Sequence, residues 1–146
     1  MKKKYAGYIN LNPLNGVIYP SSIQNILIKN FIENSLKGIF YLSPTEILQA
    51  KYTVTLNTLI SNETKVRGIV MLSSFLLTKN FHERKKMYSK LIKSKKQMYF
   101  ILDELYIKKE SDIKKVEEFI IFNSDFFTNT KKKLEIDESN IIKKYK

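Results

Sequence analysis

The sequence predicts an α/β domain of three layers: a mostly parallel sheet of four to five strands with helices on both faces, flavodoxin-like or resolvase-like. Three observations predict it. Short apolar runs alternate with longer amphipathic ones, which is the grammar of βαβ units. One run, GIVML at Gly68–Leu72, is apolar throughout, as expected of a strand buried on both faces. Gly, Pro and Asn turn formers punctuate the joins. The crossovers are then expected to be right-handed.

The first strand is predicted over Tyr5–Leu11. The loop NPLNGVIYPSS follows, with Pro13, Asn15-Gly16 and Pro20 as turn formers. A helix is expected from about Ser22 to Ser35. Ile23, Ile26, Leu27 and Phe31 share one stripe at helical spacing, and that stripe is assigned to the core. Gly38–Leu42 reads as the second strand and Pro44–Ser61 as a broken helical region. After the third strand, Gly68–Leu72, a strongly basic helix spans Phe81–Lys95 with Met87, Tyr88 and Leu91 inward. Met98–Leu102 is the fourth strand, and Asp103 and Glu104 fall in the loop behind it. A last helix covers Ser111–Phe126, with Val116, Phe119, Ile120 and Asn123 on one face. Residues 1–127 make one domain, and 128–146 read as a basic tail, flexible or a loosely docked helix.

Composition narrows the chemistry. The chain has no cysteine, which excludes disulfides, thiolate nucleophiles and Cys-based metal centres. No apolar run approaches the ~20 residues that span a bilayer. The basic start MKKKYAGYINL has an apolar stretch broken by Gly7, Asn10 and Asn12, so a cytoplasmic protein is expected. The formal charge of +12 is carried by lysine, with Arg67 and Arg84 the sole arginines. Lysine charge attracts phosphate without reading bases, which is largely arginine's work. The charge reads as solvated surface, and nucleic acid is disfavoured as a partner.

In an open parallel sheet, ligands bind outside the carboxyl ends of the strands. That rule nominates Asn10 and Asn12 after the first strand, and Ser43, Thr45 and Glu46 after the second. It adds Ser73, Ser74 and Phe75 after the third, and Asp103 and Glu104 after the fourth. Gln24 and Asn25, in the first turns of the first helix, can reach the same rim. Ser43-Pro44-Thr45-Glu46 matches a capping box, with Ser43 and Glu46 each taking the other's backbone N–H. Such a cap is worth ~1 kcal/mol and explains the pair without a catalytic role, though it leaves room for ligand contact. Asn80 to Glu83 repeats the pattern, which leaves His82, the only histidine, as a solvated residue of a first helical turn.

Arg84 admits two readings: an anion partner near a helix N-terminus, or an ion pair with a nearby carboxylate. Asp103-Glu104 can supply a general acid or base, or be a solvated loop pair. No GxGxxG, GxxxxGK[ST], GxSxG or HExxH occurs, so no cofactor or metal is expected.

The run Gly7-Tyr8-Ile9, then Gln24-Asn25, YLSPTE, RGIVMLSSFLLTKNFHERKKMY and FILDEL resemble, in order and spacing, the sporadic carbohydrate cluster proteins. These are short chains of bacterial surface-polysaccharide gene clusters, and the resemblance covers roughly residues 5–107. That family carries an arginine after the first strand and a Ser-Ala-Thr-Glu-Tyr run after the second. Here the counterparts are Asn10-Leu11-Asn12, without arginine, and Ser43-Pro44-Thr45-Glu46-Ile47, which keeps the glutamate. The resemblance implies assembly or modification of a cell-surface sugar, with no particular reaction. The element order also resembles the serine-recombinase catalytic domain, but no serine ends the first strand, and Ser21 and Ser22 follow a Pro-rich loop. That likeness is one of fold.

The leading expectation is carbohydrate biosynthesis: binding of a sugar phosphate or nucleotide sugar at the strand ends. Asn10, Asn12 and Gln24 would read hydroxyls, Arg84 would meet phosphate, and Glu46 or Asp103 would act as acid or base if chemistry occurs. Two alternatives stand beside it. One is a non-enzymatic homo-oligomer docking on a carbohydrate-cluster enzyme, with Ser73–Leu77 as a contact patch, although burial in the core is the favoured reading of that segment. The other is non-specific nucleic-acid binding through Phe81–Lys96 and Lys131–Lys133.

Overall fold

The computed structural model describes residues 1–46 and 53–124. In chain order they form β1 (Lys4–Gly7), α1 (Ser21–Asn34), β2 (Ile39–Tyr41), α2 (Val54–Ile60) and β3 (Gly68–Met71). A 3-10 turn at Ser74–Leu76 leads to α3 (Phe81–Lys93), β4 (Gln97–Phe100) and β5 (Leu105–Ile107). A final helix, α4, occupies 110–124. The five strands form one open sheet in the order β2-β1-β3-β4-β5. All pairings are parallel except β4 with β5. This is the expected mostly parallel α/β architecture, in the doubly wound order 2-1-3-4-5 with the last strand reversed.

Handedness then places the helices. The β1–β2 connection runs toward one edge of the sheet, whereas β2–β3 and β3–β4 run toward the other. Right-handed crossovers therefore put α1 on one face and α2 with α3 on the opposite face. On the α1 face Phe31 meets the Tyr99 ring at 5.8 Å, and Tyr5 meets it edge-on at 6.1 Å. Ile28 of α1 crosses β1 at Gly7, where an added Cβ would stand 3.1 Å from Ile28 and 2.7 Å from the Phe40 ring. Ile69, Val70, Met71, Leu72, Leu91, Met98 and Val116 are completely enclosed. Burying each such side chain contributes about 1.5–3 kcal/mol.

Several expectations need correction. The assigned core stripe of α1 is its outer one: Ile23, Ile26 and Leu27 are exposed, while Gln24, Ile28 and Ile32 are buried and Phe31 partly so. The helix carries two apolar stripes, and the sheet takes the one whose Gln24 can bond the neighbouring loops. No helix begins at Pro44, because residues 42–46 are irregular and α2 starts only at Val54. Asp103 and Glu104 do not end in an open loop; they form a tight turn into β5, which has no counterpart among the four strands placed from sequence. Ser73–Leu77, for which burial is the favoured reading over a contact patch, is indeed mostly interior, with Ser73, Ser74, Leu76 and Leu77 buried.

The rest agrees. Met87, Tyr88 and Leu91 turn inward on α3, and Val116 and Ile120 do so on α4. Asn80 caps α3, its Oδ1 accepting the Glu83 N–H at 3.1 Å. Expectations for Ile47–Tyr52, for the end of the last helix at 125–126 and for the tail 128–146 lie outside the described residues. Among those described, no helix is long and apolar enough to cross a membrane.

Candidate functional site at the exits of β1 and β3

β1 and β3 are neighbours whose chains leave toward opposite faces, so the crevice between their carboxyl ends is the switch point of the sheet. Tyr8 continues β1, its N–H donating to the Val70 carbonyl at 2.8 Å. Its side chain is fully enclosed. The hydroxyl donates to Glu46 Oε2 at 2.9 Å and accepts from Asn10 Nδ2 at 3.1 Å. Burial, then the Glu46 charge, pushes the Tyr8 hydroxyl far above the usual tyrosine range, so it stays a protonated donor.

Glu46 has a second task. Its carboxylate accepts the N–H groups of Thr55 at 3.0 Å and Leu56 at 3.1 Å, both in the first turn of α2. The N-cap residue of α2, Thr53, gives no side-chain bond of its own, so the cap comes from Glu46 upstream. This overturns the reciprocal capping box. The Glu46 N–H donates to the Ile9 carbonyl at 2.9 Å, and the Ser43 hydroxyl donates to the Gly7 carbonyl. YLSPTE is thus a bracket that ties the exit of β2 to β1 and to α2.

Asn10 and Gln24 close the same corner. Asn10 Oδ1 accepts the Asn12 N–H at 2.9 Å, an Asx turn, and its Nδ2 also reaches the Leu76 carbonyl at 3.4 Å. Gln24 Nε2 donates to the carbonyls of Asn10 at 2.9 Å and Tyr19 at 2.8 Å. The side-chain carbonyls of Gln24 and Asn25 are buried without a partner.

A separate cluster fastens β3 to the β4–β5 turn. Ser73 Oγ donates to Asp103 Oδ1 at 2.8 Å, and Ser74 gives its N–H and hydroxyl to Oδ2 at 2.7 and 2.6 Å. Arg84 lies elsewhere, between α3 and α4. It holds Glu117 in a two-pronged pair at 2.8 Å and donates to the Thr78 and Lys79 carbonyls. The hydrogen bond to Glu117 raises the Arg84 pKa, and burial opposes it. Burial alone would raise the Glu117 carboxyl, but the bonds from Arg84 and Tyr88 hold it below the usual range. Of the two sequence readings of Arg84, the geometry matches the ion pair.

The switch point opens into a cleft of about 550 Å³ between α2 and α3. Asn10, Leu56, Leu76 and Met87 line its depth. Asn12, Thr53, Asn57 and Thr78 bring amides and hydroxyls to its walls, and Lys79, Lys86 and Lys90 bring positive charge against one carboxylate, Glu83. A second chamber of about 820 Å³ adjoins it. Pro13, Phe75, Leu77, Thr78 and Lys79 are common walls of the two. Among the described residues, no cluster of His, Asp and Glu is arranged to hold a metal, and His82 is exposed at the start of α3.

No family model matches the chain, nor does any of the curated proteins or solved structures compared with it.

The residues nominated from the sequence divide among three places. Asn10 and Asn12 border the cleft; Ser73, Ser74, Arg84 and Asp103 border the second chamber; Glu46, Gln24, Asn25 and Ser43 are behind the walls. Lys86, Lys90, Thr53 and Asn57 were not singled out. Lys86 and Lys90 had a signal, since their four-residue spacing sets them on one face of α3. A buried lysine was also missed: Lys96 Nζ donates to the carbonyls of Leu59, Ser61 and Thr64 at 2.6–2.7 Å, and burial lowers its pKa.

Proposed function

We propose that this protein binds a phosphorylated, hydroxyl-rich ligand of the sugar-phosphate class in the cleft between α2 and α3, in the service of surface-polysaccharide biosynthesis. The cleft's composition carries the reading: Lys79, Lys86 and Lys90 on one side face Asn12, Thr53 and Asn57 on the other. Lysines supply point charge for phosphate, and amides and hydroxyls read sugar hydroxyls. The biological setting is part of the proposal and rests on the resemblance of the sequence motifs to the sporadic carbohydrate cluster proteins. Glu46 and Asp103 are occupied by hydrogen bonds that hold the fold, which favours binding over acid–base chemistry by either. The test is thermal shift with glucose 1-phosphate. Saturating ligand at about 100 times Kd stabilises by roughly 2.7 kcal/mol, and the Lys86→Glu/Lys90→Glu variant loses that shift. A folded wild type unmoved by sugar phosphates sinks the reading.

A second reading, a homo-oligomer, is favoured by one observation. The edge strand β2 exposes Ile39 and Tyr41, and the outer stripe of α1 exposes Ile23 and Ile26. Exposed apolar side chains on an edge strand invite a partner. Sedimentation decides it: a wild-type oligomer that Ile26→Lys turns into a monomer supports it, and a monomer at every concentration removes it.

A further inference from the structure

The lysine cleft has more room behind it than a sugar phosphate needs. Pro13, Phe75, Leu77, Thr78 and Lys79 are walls of the second chamber too, so the two spaces lie side by side across that seam. Their chemistries differ. The second chamber brings the rings of Tyr19, Phe75 and Phe119 to one space, with Phe75 and Phe119 tilted against each other at 5.9 Å. Asn15, Asn123, whose Nδ2 donates to the Phe119 carbonyl at 2.8 Å, and the serine-bound Asp103 border the same space. Aromatic faces with hydrogen-bonding edges suit a flat heterocycle, because stacking needs only a π-face while the amides meet the ring's polar rim. A hydrocarbon tail fits worse, since it would strip water from those polar groups without replacing their bonds. The seam itself carries Thr78 and Lys79, a hydroxyl and a cation where a phosphate chain would cross.

We infer that the ligand is a nucleoside diphosphate, free or as the handle of an activated sugar. Its base enters the second chamber, its phosphates cross the seam at Lys79, and any sugar extends toward Asn12 and Asn57. This rests on the phosphate cleft proposed above.

Calorimetric titration of the full chain with uridine diphosphate, adenosine diphosphate, inorganic diphosphate and glucose 1-phosphate tests it. At least one nucleoside diphosphate is expected to bind about tenfold tighter than either companion, a margin set by base stacking. Phe119→Ala should remove that margin and leave glucose 1-phosphate affinity unchanged. Because Phe119 touches Phe75, Asn123→Trp is a second variant, which fills the chamber from the surface of α4; folding of both is checked by circular dichroism. Nucleoside diphosphates that bind no better than inorganic diphosphate overturn the inference and leave the phosphate cleft standing. A margin that survives both variants also overturns it. If none of the four ligands binds, the inference and the cleft fall together.

Discussion

Glu117 on α4 holds Arg84 on α3 through two parallel bonds of 2.8 Å, and the same carboxylate accepts the Tyr88 hydroxyl at 2.5 Å. Both charged side chains are largely enclosed. Breaking such a pair strands the surviving charge, so Arg84→Ala should cost about 3–5 kcal/mol in chemical denaturation. Arg84→Lys keeps the charge but loses the fork, and should recover only part of that loss.

The pH dependence follows from the same pair. The Glu117 carboxyl is held below its ordinary value of 4.5 in the folded protein. Its stabilising contribution is complete above that value and is lost as pH falls through the depressed folded one. Acid titration of the melting temperature should therefore show a steep fall beneath pH 4.5 in the wild type and a shallower one in Glu117→Gln. Equal slopes would mean that the pair does not govern acid stability.

Tyr8→Phe removes the donor to Glu46 and the acceptor for Asn10 Nδ2 in one step. Leaving such buried groups unsatisfied costs about 1–3 kcal/mol. The variant should melt lower while retaining ligand affinity, because the hydroxyl is walled off from the cleft. A selective loss of the binding proposed for the cleft would instead show that Tyr8 positions Asn10 there.

Gly7→Ala places a methyl 2.7 Å from the Phe40 ring and 3.1 Å from Ile28. Overpacking of this kind costs about 1–3 kcal/mol. The denaturation midpoint should drop without a change in slope, since the unfolded chain is unaltered.

Asp103→Asn weakens three bonds that pin the β4–β5 turn to the exit of β3. Combined with Ser74→Ala, the losses should be less than additive by about 0.5–3 kcal/mol, as expected for residues in one network. Full additivity would separate them.

The parallel strands were legible because an enclosed strand must be apolar along its length, and GIVM at β3 is. β5 was not. A hairpin usually announces itself by Gly or Asn at positive φ, whereas here Glu104 takes that conformation at φ 55°. α1 and α3 end in the same silent way, with Lys37 and Lys95 left-handed where glycine is usual. The Ser43–Glu46 pair misled for another reason. Local spacing made a cap, but Glu46 bonds at long range to Tyr8, Thr55 and Leu56. Periodicity likewise could not choose between the two apolar stripes of α1, a choice made by the Gln24 bonds and the gap at Gly7. Rim position picked out Asn10 and Asn12 but not the α2 and α3 residues of the cleft, nor which groups were already bonded.

α2 has only seven residues, fewer than the ~12–15 at which isolated helices become even marginal in water. Its first amides are held by Glu46 from before it, and carbonyls at its far end by Lys96 from beyond α3. Neither clamp exists until the flanking chain has docked. α2 should therefore be among the last parts to assemble on folding, and its amides should exchange by local release of the two clamps while the sheet stays closed. One wall of the cleft between α2 and α3 is thus a latecomer, ordered by the completed fold and not by its own sequence.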